Sequence, residues 1–410
     1  MRLLLLSSIV SSTALAWPAL AEPPAVPTLG EDQLAELLAA DDPRAARAAA
    51  EVEIARADAV AAGVRPDPSV SFEREEVFPD GGLATHYARL AVPLEISGRR
   101  AARVAAARAL VDAAAADRDG ARFALSIEAL RRFRIAAYER GRVELLGAER
   151  AALVQAVEIV RRRTGAGAAS GYDLQRIELE LAAYDDLIAE AEAQLGTARI
   201  ELGALVGMPA GADAAGPLEL PGEPLPLEAL LGDAVQARTD YRAAGARLEG
   251  AATLARAAGR AWIPDLTVSG GFMAQDVAGG AAASGYTVGL SLSIPVFDRG
   301  QADRARAAAQ RRAAEADRRV LEREIPAAIR ARHQALAQLL ARARAVRTSR
   351  LARLEQLLRS AETAYREGGD VVALLDAHAA ARDARLRELE LRRDARLAEL
   401  DLWLALGRRP

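Results

Sequence analysis

The sequence predicts a mainly helical fold with a small β part, arranged as two copies of one plan. Three observations predict it. Two stretches, residues 98–163 and 299–366, are dominated by Ala, Leu, Arg and Glu, all good helix formers or close to it. Ahead of each lie short segments in which apolar and polar residues alternate, the period of a strand. Motifs of the first half also recur, in order, in the second. Pro66-Asp67 returns as Pro264-Asp265, Leu90-Ala91-Val92-Pro93-Leu94 as Leu292-Ser293-Ile294-Pro295-Val296, and Leu202-Gly203-Ala204-Leu205 as Leu402-Trp403-Leu404-Ala405. Each echo lies about 200 residues downstream, so the chain reads as a tandem duplication.

The elements follow in order. Residues 1–21 have the form of a secretory signal peptide: Arg2, then an apolar run, then Ala19-Leu20-Ala21 as an A-x-A cleavage site. The first repeat, 22–206, is expected to hold a helix at 31–62, strands at 68–78 and 85–96, a long helix at 98–163 and another at 171–205. Residues 207–226, rich in Gly, Pro and Ala, form a linker. The second repeat, 227–410, is expected to hold helices at 227–260, 299–366 and 370–406, with strands at 264–274 and 285–296. Pro326, inside the second long helix, is expected to kink it. At 1.5 Å per residue the long helices span about 100 Å. No compact domain accommodates that length, so they must form an extended bundle or coiled coil.

Composition excludes several functions. The chain has no cysteine, and therefore no disulfide, thiolate metal site or Cys nucleophile. A net charge of -3 lacks the basic surplus of a nucleic-acid binder. No nucleophile constellation, phosphate loop or cofactor fingerprint is present, so neither an enzyme nor a cofactor is expected. His86, His333 and His378 show no paired-ligand spacing, and no metal site is expected.

The alternating segments carry a membrane argument. Tyr286, Val288, Leu290, Leu292, Ile294 and Val296 fall on one face, and Thr287, Gly289, Ser291 and Ser293 on the other. Leu266, Val268, Gly270 and Phe272 alternate with Thr267, Ser269 and Gly271, and Val70 and Phe72 with Ser69, Ser71, Glu73 and Glu75. A lipid-facing barrel strand around a wet lumen has this pattern, and so does a soluble half-buried hairpin. The export signal and the long helices favour the barrel. Four strands are too few to close one, since single-chain barrels begin at about eight. Closure would need several chains, and three would give twelve strands.

Pro66-Asp67-Pro68 and Pro264-Asp265-Leu266 open the hairpins. Val92-Pro93-Leu94-Glu95-Ile96-Ser97-Gly98-Arg99-Arg100 and Ile294-Pro295-Val296-Phe297-Asp298-Arg299-Gly300 lead into the long helices. Arg163-Thr164-Gly165 to Tyr172-Asp173-Leu174, and Tyr365-Arg366-Glu367-Gly368-Gly369-Asp370 to Leu374-Leu375-Asp376-Ala377, form helix-to-helix turns. Together these resemble the TolC-like outer membrane efflux protein family over essentially the whole mature chain. The Leu94 to Arg100 version is similar to the family's heavy-metal-efflux branch.

The resemblance implies a homotrimer. Each protomer would contribute four strands to a twelve-stranded β-barrel in outer-membrane lipid, and the long helices would form an α-helical barrel in the periplasm. The 207–226 segment would lie in its equatorial belt. It implies a passive exit duct, not an enzyme. The partners would be a periplasmic adaptor and an inner-membrane transporter of the RND type, with no nucleic acid. No cysteine is available for a lipid anchor. Two other readings stay open at this point: a periplasmic coiled-coil adaptor or scaffold, and the duct of a type I polypeptide secretion system.

The resemblance puts the turns at a periplasmic tip, where the duct constricts and the adaptor docks. Asp370, Asp376, Tyr365, Arg366, Tyr172 and Asp173 are the gate candidates. Arg163, Gly165, Gly368 and Gly369 are the docking candidates. Asp370 also stands just before an apolar helical run, where an N-cap Asp belongs.

Overall fold

The computed structural model describes residues 26–77, 83–277 and 281–409. The expected signal peptide, 1–21, lies outside the described residues. Strand β1, Thr28–Leu29, is followed by helices α1, Glu31–Asp41, and α2, Pro43–Ala62. The single helix expected at 31–62 is therefore two. Pro43 has no N–H to continue a helix but suits its first turn. Asp42 caps that turn, accepting the Arg44 N–H at 2.7 Å.

Strands β2, Ser69–Val77, and β3, Leu83–Leu94, lead into α3, Arg99–Gly165. This one helix of 67 residues is about 100 Å long. It returns as α4, Gly171–Leu205. The following segment carries β4, Asp213–Ala214, which pairs in parallel with β1. It is fastened to the middle of the helical bundle. Arg199 holds Asp213 at 2.6 Å, Arg140 donates to the carbonyls of Ala214 and Gly216, and Arg396 donates to Glu219 O at 2.8 Å.

The second repeat begins with α5, Leu227–Leu231, α6, Ala234–Ala237, and α7, Thr239–Ala258. One helix was expected at 227–260. The chain instead breaks at Gly232-Asp233 and again at Arg238. Arg238, in extended backbone, donates to Leu404 O at 3.1 Å and Ala405 O at 2.8 Å. It thus serves the orphan carbonyls at the end of the last helix, which fixes where α7 can start.

Strands β5, Leu266–Val277, and β6, Ala283–Leu292, precede α8, Gln301–Ala345. The strand expected to run to residue 296 ends at Leu292. Pro295 has no N–H for a ladder, and the Val296 N–H turns back to Ile294 O at 2.9 Å, the bond of a γ-turn. The second long helix runs through Pro326 without a break in α8. A π-helical stretch, Val346–Leu351, follows before α9, Ala352–Arg366. There Thr348 and Ser349 return hydroxyl bonds to Arg344 O and Ala345 O, a local competition that disturbs a helical ladder. Helix α10, Val371–Leu406, ends the fold at Gly407, whose φ of 69° is the left-handed C-cap conformation.

The core sits between the helices. Ile127, Leu130 and Phe133 of α3 pack with Leu202 of α4, Leu400 of α10 and Leu218 of the linker. A second cluster joins Tyr241, Ile325, Ile329, Leu336 and Leu402. A third, near the far helix turns, holds Leu153, Val160, Ile177, Tyr184, Tyr365 and Leu374. Burying such side chains stabilises by roughly 1.5–3 kcal/mol each. The repeats are also stapled by ion pairs, Arg131 to Asp401 at 2.6 Å among them.

The other four strands form one antiparallel sheet in the order β2-β3-β5-β6. No helix covers it. Among the described residues, no helix is long and apolar enough to cross a membrane.

Candidate functional site

Pairing aligns the faces of all four strands. Val70 stands opposite Leu90, Leu90 opposite Gly270 and Gly270 opposite Val288. Even-numbered residues therefore share one face and odd-numbered residues the other. The even face is apolar and open: Val70 is 79% exposed, Phe72 73%, Tyr286 86% and Leu290 71%. Toward the hairpin tips this face turns polar, with Arg74 against Glu76 at 3.0 Å and His86 against Asp276 at 3.7 Å. An apolar patch of this size without a cover needs a non-aqueous neighbour.

The odd face is polar. In β2 and β3 it carries Glu73, Glu75, Tyr87 and Arg89. Arg89 donates to Glu73 at 2.9 Å and lies 4.5 Å from the Tyr87 ring centroid, while the Tyr87 hydroxyl reaches Glu75 at 3.4 Å. In β5 and β6 this face holds Thr267, Ser269, Gly271, Thr287 and Ser291, with no charge. Tyr87 and Arg89 were not anticipated from the sequence. Extending the alternation of β2 into β3 would have placed them.

The opposite end of the molecule gathers some of the predicted tip residues. Tyr365 is buried at the end of α9, under the Arg163 guanidinium at 4.7 Å. Arg163 also donates to Ala168 O at 3.0 Å, so one side chain ties both helix turns. Burial pushes the Tyr365 hydroxyl up from its ordinary pKa, and the Asp173 carboxylate adds to the rise. Asp173 closes a capping box with Ser170, at 3.1 and 3.3 Å. Asp370 caps α10 through the Val372 N–H at 3.0 Å.

Two of the tip glycines are needed here. Gly368 has φ 109°, and a Cβ on Gly369 would stand 2.8 Å from Ala364 O. Gly165 ends α3 in open space. Tyr172, Arg366 and Asp376 are exposed and lie outside the Arg163–Tyr365 contact.

Behind the tip lies a polar layer that the sequence did not reveal. Glu149 is buried and paired with Arg385, and Arg382 stacks 5.2 Å from the buried Tyr184 ring. His378 is buried, and its Nε2 has no partner. Burial lowers its pKa below the usual 6.5, against the opposite pull of Glu362 and Glu149 and with the help of Arg385. The unfolded chain then binds this proton more readily than the folded one. Stability is unaffected above about pH 6.5 and falls as pH drops below it. A His378→Gln variant should therefore lose less thermal stability than the parent between pH 7.5 and 5.5. Parallel melting curves giving equal losses would contradict the assignment.

Among the described residues, no three metal-capable side chains come together. His86 lies beside Asp276, and His333 contacts Leu225 O at 3.1 Å.

Known proteins resemble this chain in sequence and in fold. Residues 230–408 match the family model described as outer membrane efflux protein. The cobalt-zinc-cadmium resistance protein CzcC of Cupriavidus metallidurans is 29% identical over 257 residues, 62% of this chain. The chain spans 60% of that relative's length. The outer membrane protein VceC of Vibrio cholerae superposes with a TM-score of 0.75 at 20% identity, over 93% of this chain and 97% of its own. CusC, whose structures address transmembrane channel formation, gives 0.77 at 16% identity, over 92% of each chain. The likeness to VceC and CusC shows the fold, mainly helical with one small sheet. The second half of the chain is thus similar to outer membrane efflux proteins in sequence, and the described chain is similar to VceC and CusC in fold.

Proposed function

We propose that the chain is one protomer of the outer-membrane exit duct of a tripartite efflux pump. The observation that carries this is the uncovered sheet, apolar on one face and polar on the other, at one end of helices about 100 Å long. Such a sheet is stable with lipid on one side and water on the other. Among the described residues its edge strands β2 and β6 are unpaired on their outer sides. Lipid tolerates no open edge, so the sheet closes by trimerisation into twelve strands. The helices extend through the periplasm as a passive conduit. An adaptor docks at the tip and an inner-membrane transporter of the RND type supplies the energy. The protein reaches the outer membrane through the signal peptide expected at residues 1–21.

The likeness to a cobalt-zinc-cadmium resistance protein supports metal cations as cargo. Expression with a cation pump and its adaptor should restore zinc or cobalt tolerance to a strain lacking its own duct. A trimer in the outer membrane that restores drug or polypeptide export instead would reject this cargo.

At the tip, Arg163, Tyr365 and Asp173 hold the two helix turns of one protomer together, and adaptor contact releases them. Asp370 and Asp376 line the narrow end, and Tyr172 and Arg366 bear on neighbouring protomers. Gly165, Gly368 and Gly369 shape the docking surface. Replacing Arg163 with Gln removes the cation over Tyr365 while keeping hydrogen-bonding capacity. Its single-channel conductance in planar bilayers should rise several-fold over the parent. An unchanged conductance would remove Arg163 from the gate.

A further inference from the structure

Each repeat passes from sheet to long helix at a matching junction, and the two junctions differ in charge. In the first, the start of β2 and the end of β3 part before α3, and a cavity of about 420 Å³ opens between them. Its basic wall carries Arg65 and Arg100, and its apolar wall carries Pro66, Pro93, Leu94 and Ile96.

The neighbouring arginines are already paired, Arg99 with Asp265 at 2.6 Å and Arg103 with Glu95 at 2.7 Å. Glu95 also lines the cavity, but Arg103 holds both of its oxygens, at 2.7 and 2.9 Å. Asp67 follows closely in sequence and lies outside the cavity lining. Arg100 uses its Nε on Gly63 O at 2.8 Å, which leaves its terminal nitrogens to the cavity. Among the described residues, neither Arg65 nor Arg100 forms an ion pair.

The duplication supplies an internal comparison. Pro66 corresponds to Pro264 and Gly98 to Gly300, so Arg65 corresponds to Ile263 and Arg100 to Ala302. The second junction reaches the same left-handed glycine, φ 73° against 74°, and then a long helix, with neither guanidinium. The fold therefore does not require these two arginines, and their charge is open to an anion.

Position selects the anion. Leu94 belongs to the even-numbered apolar face, in line with Val92 and Leu90 and opposite Leu266. Ile96 carries that face past the end of β3 and is exposed. The cavity thus stands where the lipid-facing surface gives way to helices in water. Its occupant needs hydrocarbon on one side and an anion on the other. Guanidinium forks match phosphate oxygens, and basic pockets at a membrane boundary take lipid headgroups. A free phosphate would leave Leu94 and Ile96 uncovered.

We infer that this cavity holds the headgroup phosphate of an anionic glycerophospholipid between Arg65 and Arg100, with its acyl chains along Leu94, Val92 and Leu90. This rests on the duct reading above, and it gives one such lipid per protomer, at the first junction only.

The test uses the full-length protein in mild detergent, its oligomeric mass measured first. Dioleoylphosphatidylglycerol and dioleoylphosphatidylcholine, alike in their acyl chains, are titrated in separately, and bound lipid is counted by native mass spectrometry. The parent should hold one anionic lipid per protomer and prefer it about tenfold over the zwitterionic one, as one charge-assisted contact allows. Arg65→Gln with Arg100→Gln should abolish the preference. Arg65→Gln alone changes an exposed side chain without an ion pair and should weaken it severalfold. Arg299→Gln with Arg304→Gln removes the same charge at the second junction and should leave the preference intact. A trimeric parent without preference, an unchanged preference in Arg65→Gln, or an equal loss in the Arg299 and Arg304 variant overturns the site and leaves the duct standing. Displacement of the lipid by inorganic phosphate would overturn the lipid assignment in favour of a soluble anion. A monomeric parent that binds neither lipid overturns the site and the duct together.

Discussion

Replacing Leu290 with Arg should abolish most folded protein in the outer membrane. Leu290 sits mid-strand on the apolar face, 71% exposed and opposite Val268. In water such a change would be harmless, because the side chain packs against little. In lipid, an Arg at the bilayer midplane of a barrel costs about 2–4 kcal/mol, and a trimer takes that cost three times. The neighbouring Ser291→Arg puts the same charge on the polar face, where water is available. It should fold near the parental level and shift ion selectivity toward anions. The check is the amount of heat-modifiable trimer in outer membranes, with bilayer reversal potentials for the Ser291 variant. Equal yields of the two variants would mean that the even face does not meet lipid.

The second large effect concerns Arg134, in the middle of α3. Its side chain is 3% exposed. It donates to Arg396 O at 2.7 Å and Glu399 at 2.9 Å, approaches Glu31 at 3.6 Å and stacks 5.3 Å from the Trp403 ring. Burial lowers its pKa despite Glu399 and Glu31, while its charge still anchors α10 and α1 to α3. Arg134→Ala leaves a cavity, an unserved carbonyl and a carboxylate held only by Arg396 at 3.1 Å. Breaking a buried pair from one side costs about 3–5 kcal/mol. Arg134→Met keeps the volume and should cost less, and adding Glu399→Gln should recover part of the remainder. Denaturant titration of the detergent-solubilised protein, followed by circular dichroism, measures all three. An Arg134→Ala variant as stable as the parent would show that the cluster contributes nothing.

The sequence exposes some layers of this structure better than others. β5 and β6 are plain, because Leu and Val alternate with Ser, Thr and Gly over whole strands. β2 is fainter, because Arg74 and Glu76 interrupt its apolar face near the hairpin tip. The duplication is visible through proline and glycine motifs, whose spacing the backbone geometry demands. The break at Asp42 was readable from Asp-Pro, an N-cap followed by a first-turn residue. The break at Arg238 was not, since its reason is a bond to carbonyls at Leu404 and Ala405. Arg134 was also hidden. It stands in an apolar stripe beside Leu130, Phe133 and Ala137, and its partners lie a hundred or more residues away in sequence, Glu31 on one side and Arg396 and Glu399 on the other. At the tip, Asp370 reads as a cap from local pattern alone, whereas the box that Asp173 closes with Ser170 was not anticipated. The placing of Arg163 over Tyr365 needed two turns from different repeats to meet.

The most direct test of the duct is the mass and location of the mature protein. Outer and inner membranes would be separated, the protein solubilised in mild detergent, and its protein mass measured by light scattering. The account predicts a trimer confined to the outer-membrane fraction. A soluble periplasmic monomer or dimer would contradict it, and the open sheet would then belong to an adaptor or scaffold.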